Sequence, residues 1–430
     1  MRRKFEQYND TVQRLYPELL TDKDDKIFDI TLQVTDSCNL RCSYCYQICK
    51  KNHLMDFETA KNYIDMIAIN PKENEYFNPK NVKGLIFDFI GGEPFLNIDL
   101  IDKVMDYTIS KLIEMNSPLI YFTRFLICTN GTLYFDPKVQ KFLDKYKQWL
   151  SVSISIDGNK ELHDACRKFP DGSGSYDIVV KAIEDWREKT GEYPCSKVTL
   201  SPSNINYLFD AVKNLLDLGF TSILGNVVFE KGWNLDYAKI YYKELTKLGN
   251  YLLDNDLEED VYISFFEYPD SKFFRPKDWS NEDELKNWCG GNGAMIALNY
   301  TGNLYPCLRY MEDALGDSVP PLIIGNVNKN EIATTEEQKQ LTRKLKAIDS
   351  YTQSSDECRK CPIAVGCAWC QAYNYQETGV LNKRVTYICP MHKARALANI
   401  EFWNKYYKKH NIDKEFPNNM KQEWIDELLN

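Results

Sequence analysis

Between Asp29 and Val228 the sequence alternates short β-branched and aromatic runs with segments of helical period, and this alternation restricts the fold more than any other feature. Six runs read as strands, at residues 30–34, 83–90, 123–129, 150–156, 197–201 and 222–229. Between them, apolar residues recur at helical spacing. Phe57, Ala60, Ile64, Ile67 and Ala68 share a face behind an Asp56 N-cap, and Ile178, Val179, Ala182, Ile183 and Trp186 make a second stripe. Leu208, Val212, Leu215 and Leu216 make a third, stopped by Gly219. Alternating strands and helices predict parallel βα units, and six units fall short of the eight that close a TIM barrel. The expected fold class is therefore α/β, as a partial (β/α)6 barrel or an open sheet, with ligands at the carboxyl ends of the strands.

The pattern changes downstream. Residues 231–288 are polar, aromatic and charged, with a helical stretch at 237–255, and read as a bridge. From Cys289 to Cys389 there are seven cysteines, glycine turns at Gly290-Gly291 and Gly302, and little long periodicity. Such a region has too little apolar material for its own core, so a metal is the simplest stabiliser. A helix follows at 391–407, with Leu397, Ile400, Trp403 and Tyr407 at packing spacing. The expected division is an extension at 1–28, the α/β unit at 29–230, the bridge at 231–288, a cysteine-rich domain at 289–390 and a helical tail at 391–430.

Composition removes several classes of function. Fourteen cysteines in 430 residues are too few for a secreted disulfide scaffold, and many stand two or three residues apart, as metal ligands do. The first thirty residues hold no apolar signal sequence, which predicts a reducing, cytoplasmic location. No apolar run approaches the roughly 18 residues of a membrane span, because Asp88 and Arg124 break the longest ones. A net charge of −9 gives no fold-wide basic surface for nucleic acid. With only His53, His163, His392 and His410 present, extensive metal chemistry must rest on cysteine.

The first strand runs into Cys38-Asn39-Leu40-Arg41-Cys42-Ser43-Tyr44-Cys45, a CxxxCxxC loop. Three thiolates so spaced can wrap one corner of a four-iron cluster and leave one iron without a protein ligand. Zinc is the alternative, with His53 or Cys49 as its fourth ligand. Other strand ends carry further polar motifs. They are Gly91-Gly92-Glu93-Pro94, then Thr129-Asn130-Gly131-Thr132, then Ser153-Ile154-Ser155-Ile156-Asp157-Gly158 with Arg167 beyond it. Two glycines allow close backbone approach, and Glu93 offers an acceptor for an ammonium.

The CxxxCxxC loop after strand one, with Tyr44 before its third cysteine, and the GGEP motif after strand two resemble the radical S-adenosylmethionine (SAM) superfamily. The resemblance implies that Cys38, Cys42 and Cys45 hold a 4Fe-4S cluster whose open iron chelates SAM. Reductive cleavage of SAM then gives a 5′-deoxyadenosyl radical that abstracts a substrate hydrogen. It further implies that Glu93 contacts the SAM amino group, Ser155 the ribose or carboxylate, and Arg167 the carboxylate, which a guanidinium suits. Tyr44, Gly91, Gly92, Pro94, Asn130, Ser153 and Asp157 complete the expected cofactor rim.

The second array is Cys289, then Gly302 to Cys307, then Cys358-x2-Cys361-x5-Cys367-x2-Cys370, then Cys389. Taken alone, Cys358, Cys361, Cys367 and one more thiolate would make a zinc site, and the protein a zinc-ribbon interaction module. Taken with the first loop, the array resembles the SPASM extension of radical SAM enzymes, departing from its CX2CX5CX3C run only in the two residues before Cys370. That resemblance implies two auxiliary 4Fe-4S clusters. One is closed by Cys358, Cys361, Cys367 and Cys389; the other has only Cys289, Cys307 and Cys370, with Cys166 as a distant candidate fourth ligand. An open iron can bind a substrate thiolate and lower its pKa. The resemblance extends to thioether-forming maturases of the sactipeptide and ranthipeptide kind, which act on a ribosomally made, cysteine-containing precursor peptide. A flavodoxin or ferredoxin is the expected electron donor. Only about 28 residues precede the first strand, which leaves leader recognition to a separate protein, the bridge or the barrel. Carbon-carbon or carbon-oxygen crosslinking is one alternative. Anaerobic sulfatase maturation is another, although Leu308 and Arg309, not an Asp, follow Cys307. Cys128 is expected in the core.

Overall fold

Phe28, Ile30, Leu32 and Val34 alternate along the first strand and are all fully buried, which commits one face of the sheet to the helices. The computed structural model describes residues 26–266, 273–286 and 289–430, so the expected 1–28 extension falls almost wholly outside the described residues. Six strands follow the predicted order: β1 Lys26–Thr35, β2 Val82–Gly91, β3 Thr123–Thr129, β4 Leu150–Ile154, β5 Ser196–Leu200 and β6 Ser222–Val227. Adjacent members are parallel, and a single bridge between Ser153 and Cys195 joins β4 to β5. No pairing closes the set into a barrel among the described residues.

The free edge of β1 takes up β8, Met295–Leu298, in parallel register. From β8 the sheet continues antiparallel through β9 Asn303–Tyr305, β10 Gly325–Asn326 and β11 Glu331–Ile332. The cysteine-rich region is thus built onto the first strand, where the sequence suggested a body held by metal alone. On the other side β7, Tyr262–Ile263, extends β6 in parallel, so the bridge is also part of the fold.

The predicted helices form with two differences. Phe57–Ile64 starts at Asp56, whose carboxylate accepts from Thr59 N, and it runs on into a π-helical turn, Asp65–Ile69. Ile178 is 37% exposed and lies outside the stripe formed by Val179, Ala182, Ile183 and Trp186. The long helix Cys389–Lys409 packs along Leu235–Asp254, with Tyr242 Oη donating to Glu401 at 2.5 Å. A last helix, Gln422–Leu429, lies within the expected helical tail. No described helix is long and apolar enough to cross a membrane.

The face of the sheet turned away from the helices is polar. Thr31 pairs in register with Asp88, Cys128 with Ser153, and Thr199 with Asn226. Cys128, expected in the core, is therefore on this open face, because Ile127 and Thr129 take the buried positions beside it. Asp88 makes no side-chain hydrogen bond or ion pair among the described residues, and burial pushes its carboxyl from 3.8 to about 7, with Asp29 adding to the rise. Native protein therefore holds this proton more tightly than the unfolded chain, and stability falls as pH rises from about 4 to about 7. Asp88→Asn is expected to raise the melting temperature at pH 8 and leave it nearly unchanged at pH 4. Equal shifts at both pH values in thermal denaturation would rule this out.

Candidate active site

The CxxxCxxC segment lies in a loop closed at its base by Asp36, whose carboxylate accepts from His53 N at 2.8 Å and meets His53 Nδ1 at 2.7 Å. His53 also stacks on Tyr300, so it clasps the loop, where the zinc alternative had it as a ligand. Arg41 N donates to Lys168 O and Ser43 N to Cys166 O, docking the loop onto the segment after β4. The three thiols are neighbours. Burial pushes Cys42 up to about 11 against the pull of Arg167, and Cys45 and Cys38 push it further. Thiolates converging in this way are stable only around a strongly cationic group, which the irons of a cluster supply.

The motif loops at the other strand ends lock onto one another. A methyl group on Gly92 would lie 2.1 Å from Ser37 O, and one on Gly91 2.5 Å from Thr35 O. Both glycines are thus required by contact between the GGEP turn and the start of the cysteine loop, and not only by a ligand. Gly92→Ala is expected to cost about 1–3 kcal/mol, because the obstacle is main chain that cannot swing aside. Thermal denaturation checks this, and an unchanged melting temperature would count against the contact. Glu93 is completely buried. Its carboxylate accepts from Phe95 N at 3.1 Å, Thr129 Oγ1 at 2.6 Å and Asn130 N at 2.7 Å, and burial raises its pKa to about 7. Where the sequence suggested a free acceptor, the structure has a tie between the ends of β2 and β3. Pro94 opens the short turn that follows. Asn130 Nδ2 donates to Asn39 Oδ1 at 2.8 Å and lies 3.9 Å from Cys38 Sγ.

Asp157, also fully buried, accepts from Tyr44 Oη and from Arg167 Nε at 2.8 Å, with Arg167 Nη2 at 3.4 Å. The guanidinium carbon stands 5.4 Å from the centre of the Tyr44 ring. Arg167 pairs with neither Asp164 nor Asp171, and its Nη1 has no hydrogen bond among the described residues. Ser153 Oγ donates to Cys195 O, whereas Ser155 is half-buried on the open face.

Cys289 and Cys307 come together around Gly291, on which a methyl group would lie 3.4 Å from Cys289 Sγ and 3.8 Å from Cys307 Sγ, and Cys370 is an electrostatic neighbour of both. Cys370 raises the pKa of Cys289, and Cys289 and Cys370 raise that of Cys307, in each case beyond the larger effect of burial. Beside them the buried Tyr310 Oη has no hydrogen-bond partner, an orphaned donor that a cluster sulfur would satisfy. Cys358, Cys361, Cys367 and Cys389 line a separate cavity of about 450 Å³, with Arg384 Nη1 3.9 Å from Cys367 Sγ. Both donor sets fit iron–sulfur ligation. No three His, Cys, Asp or Glu side chains among the described residues gather tightly enough for a single metal ion. Cys166 is packed between Ser43 and Asn204 in the βα unit. Cys49 is exposed.

Between the two arrays lies a cavity of about 430 Å³. It is lined by Tyr44, Cys45 and Tyr46 of the cysteine loop and by Glu230, Arg309 and Tyr373. The sequence reading missed Tyr46, Glu230 and Tyr373, which carry no motif. It noticed Arg309 only as a departure from an Asp.

Residues 32–202 match the family model of the radical SAM superfamily. An uncharacterized protein of Methanocaldococcus jannaschii, MJ0907, is 30% identical over 285 residues, covering 65% of this chain and 84% of the relative. The chain belongs to the radical SAM superfamily and is one of its enzymes, with a cysteine-rich extension of SPASM type. Membership implies SAM and a 4Fe-4S cluster. The serine-type anaerobic sulfatase-maturating enzyme of Bacteroides thetaiotaomicron is 24% identical, covering 82% of this chain and 84% of its own. AlbA, the subtilosin biosynthesis protein of Bacillus subtilis, is 23% identical over 66% of this chain, which spans about half (55%) of AlbA. The fold matches that of anSMEcpe solved with bound AdoMet, with a TM-score of 0.62 at 18% identity over 89% of this chain and 98% of that one.

Proposed function

We propose that the chain is a peptide maturase that joins a cysteine sulfur to a carbon of the same ribosomally made precursor, forming a thioether. One observation carries the reading: a single cavity is lined by Cys45 and also by Arg309 and Tyr373, which follow Cys307 and Cys370 in the chain by two and three residues. A peptide held there would touch Cys45 and the segments that follow Cys307 and Cys370. When bound, SAM and its cluster supply a 5′-deoxyadenosyl radical to abstract a hydrogen from the peptide.

The chain's own residues then have definite tasks. Cys38, Cys42 and Cys45 hold the SAM cluster. Arg167, fixed by Asp157, presents Nη1 to the SAM carboxylate, while Ser155 meets the ribose and the Gly91-Gly92 main chain the amino end. Glu93 acts at one remove, keeping Asn130 in place. Cys289, Cys307 and Cys370 hold an auxiliary cluster with one position left for the substrate thiolate, and Cys358, Cys361, Cys367 and Cys389 hold a closed one. The precursor, an electron donor such as flavodoxin or ferredoxin, and a separate leader-binding protein are the proposed partners.

Sulfatase maturation is the second reading. It is favoured by the extent of the match to the Bacteroides enzyme and opposed by Leu308 following Cys307. Iron and sulfide analysis of anaerobically prepared protein should give about twelve irons, four for each of three clusters. Stoichiometric zinc would sink both readings. Incubation with SAM, reductant and a cysteine-bearing precursor encoded nearby should remove two hydrogens together with a free thiol. Hydrogen loss with the thiol intact favours carbon-carbon or carbon-oxygen crosslinking, and formylglycine in a sulfatase peptide favours maturation.

A further inference from the structure

Arg309 is held from four sides. It lies in the turn Leu308–Tyr310 directly after Cys307, and its Nη2 donates to Glu230 Oε1 at 2.9 Å, just beyond β6. Its guanidinium carbon is 5.2 Å from the centre of the Tyr46 ring, in the SAM-cluster loop, and 5.6 Å from that of Tyr373, three residues after Cys370. Tyr373 is itself fixed, with its N–H donating to Cys370 Sγ at 3.4 Å, its hydroxyl to Glu377, and Lys231 N donating back to that hydroxyl. The Arg309 side chain is only 18% exposed, and Cys370 is its leading charge neighbour. A guanidinium stacked between two tyrosines stays charged and keeps its geometry.

A fixed, buried cation beside the ligand of a cluster stabilises the extra negative charge that reduction adds, and more strongly than in water. We propose that Arg309 sets the reduction potential of the auxiliary cluster held by Cys289, Cys307 and Cys370, raising it so that the cluster takes up the electron left over from bond formation, with Glu230 moderating the effect. This rests on the thioether reading. In that reaction the substrate hydrogen leaves with 5′-deoxyadenosine and the thiol proton goes to water. Carbon radical and thiolate then form the C–S bond with one electron in excess, which reduces the auxiliary cluster by one unit. The donor's electron enters at SAM cleavage, and the reduced auxiliary cluster returns one electron to the oxidised donor or the SAM cluster, so the cycle balances with SAM as the net two-electron oxidant.

The test is an EPR-monitored redox titration of the full, anaerobically reconstituted chain, which needs no substrate. In Arg309→Gln the reduced fraction of one cluster at fixed potential should fall about tenfold, equivalent to 59 mV for one electron. Glu230→Gln should move the same cluster the opposite way, and Arg309→Lys should fall between wild type and Arg309→Gln. General damage to the fold does not give opposite signs from two neighbours. An unmoved potential in Arg309→Gln, shifts of the same sign in both charge-removing variants, or equal shifts of every cluster would overturn the proposal while the thioether reading stands. Wild-type protein that binds one cluster only would overturn both.

Discussion

Cys42→Ala is expected to reduce 5′-deoxyadenosine formation from SAM to background and to remove about four irons from the purified protein. The expectation rests on the separation of the loop's scaffold from its thiols. The loop is closed by Asp36 and His53, docked through Arg41 N and Ser43 N, and turned by Cys45 N donating to Cys42 O. None of these contacts uses the Cys42 side chain, so alanine should leave the fold in place. Far-ultraviolet circular dichroism and melting temperature should stay close to wild type. Cys49→Ala is the matched control, since that thiol is exposed and expected to bind nothing. Retained SAM cleavage in Cys42→Ala, or an equal loss in Cys49→Ala, would require a different assignment of the cluster ligands.

The same loop marks how far the sequence could be read. The six parallel strands were legible because Ile30, Leu32, Val34 and their counterparts follow a local period set by burial on one side. The CxxxCxxC and GGEP motifs were legible because cluster and cofactor chemistry dictate residue types at short spacing. Pairings distant in sequence were not. Nothing around Met295 announces that it will lie against Asp29 in β1, since a four-residue strand carries no signature of its partner. The sequence offers the rim residues as a set that faces a ligand. Glu93 and Asp157 instead spend their carboxylates on Thr129, Asn130, Tyr44 and Arg167. Buried carboxylates must find donors, and the nearest ones here are the neighbouring loops. Arg309 shows the converse case. Its position beside Cys307 was visible, yet its value comes from Tyr46, Glu230 and Tyr373, which converge on it from three distant segments.

Cys307→Ala should separate the two halves of the proposed reaction. SAM cleavage is expected to survive within a few-fold of wild type, because no hydrogen bond to the Cys38–Cys45 loop comes from Cys307 among the described residues. Crosslinked product should be lost, since the auxiliary cluster proposed to bind the substrate thiolate would keep only Cys289 and Cys370. The substitution removes one sulfur from a fully packed site beside Tyr310, a small change in volume, so unfolding of the metal-free protein should move little. Iron content should fall by about four while the SAM-cluster signal is retained. Abortive turnover is therefore the signature: 5′-deoxyadenosine accumulates with no matching loss of precursor thiol. A closed structural cluster would behave differently, with crosslinking falling in proportion to folded protein and the ratio of product to 5′-deoxyadenosine unchanged. That ratio, measured in Cys307→Ala and in Cys361→Ala of the second set, decides which array handles the substrate. Only the set that binds the substrate should uncouple cleavage from crosslinking.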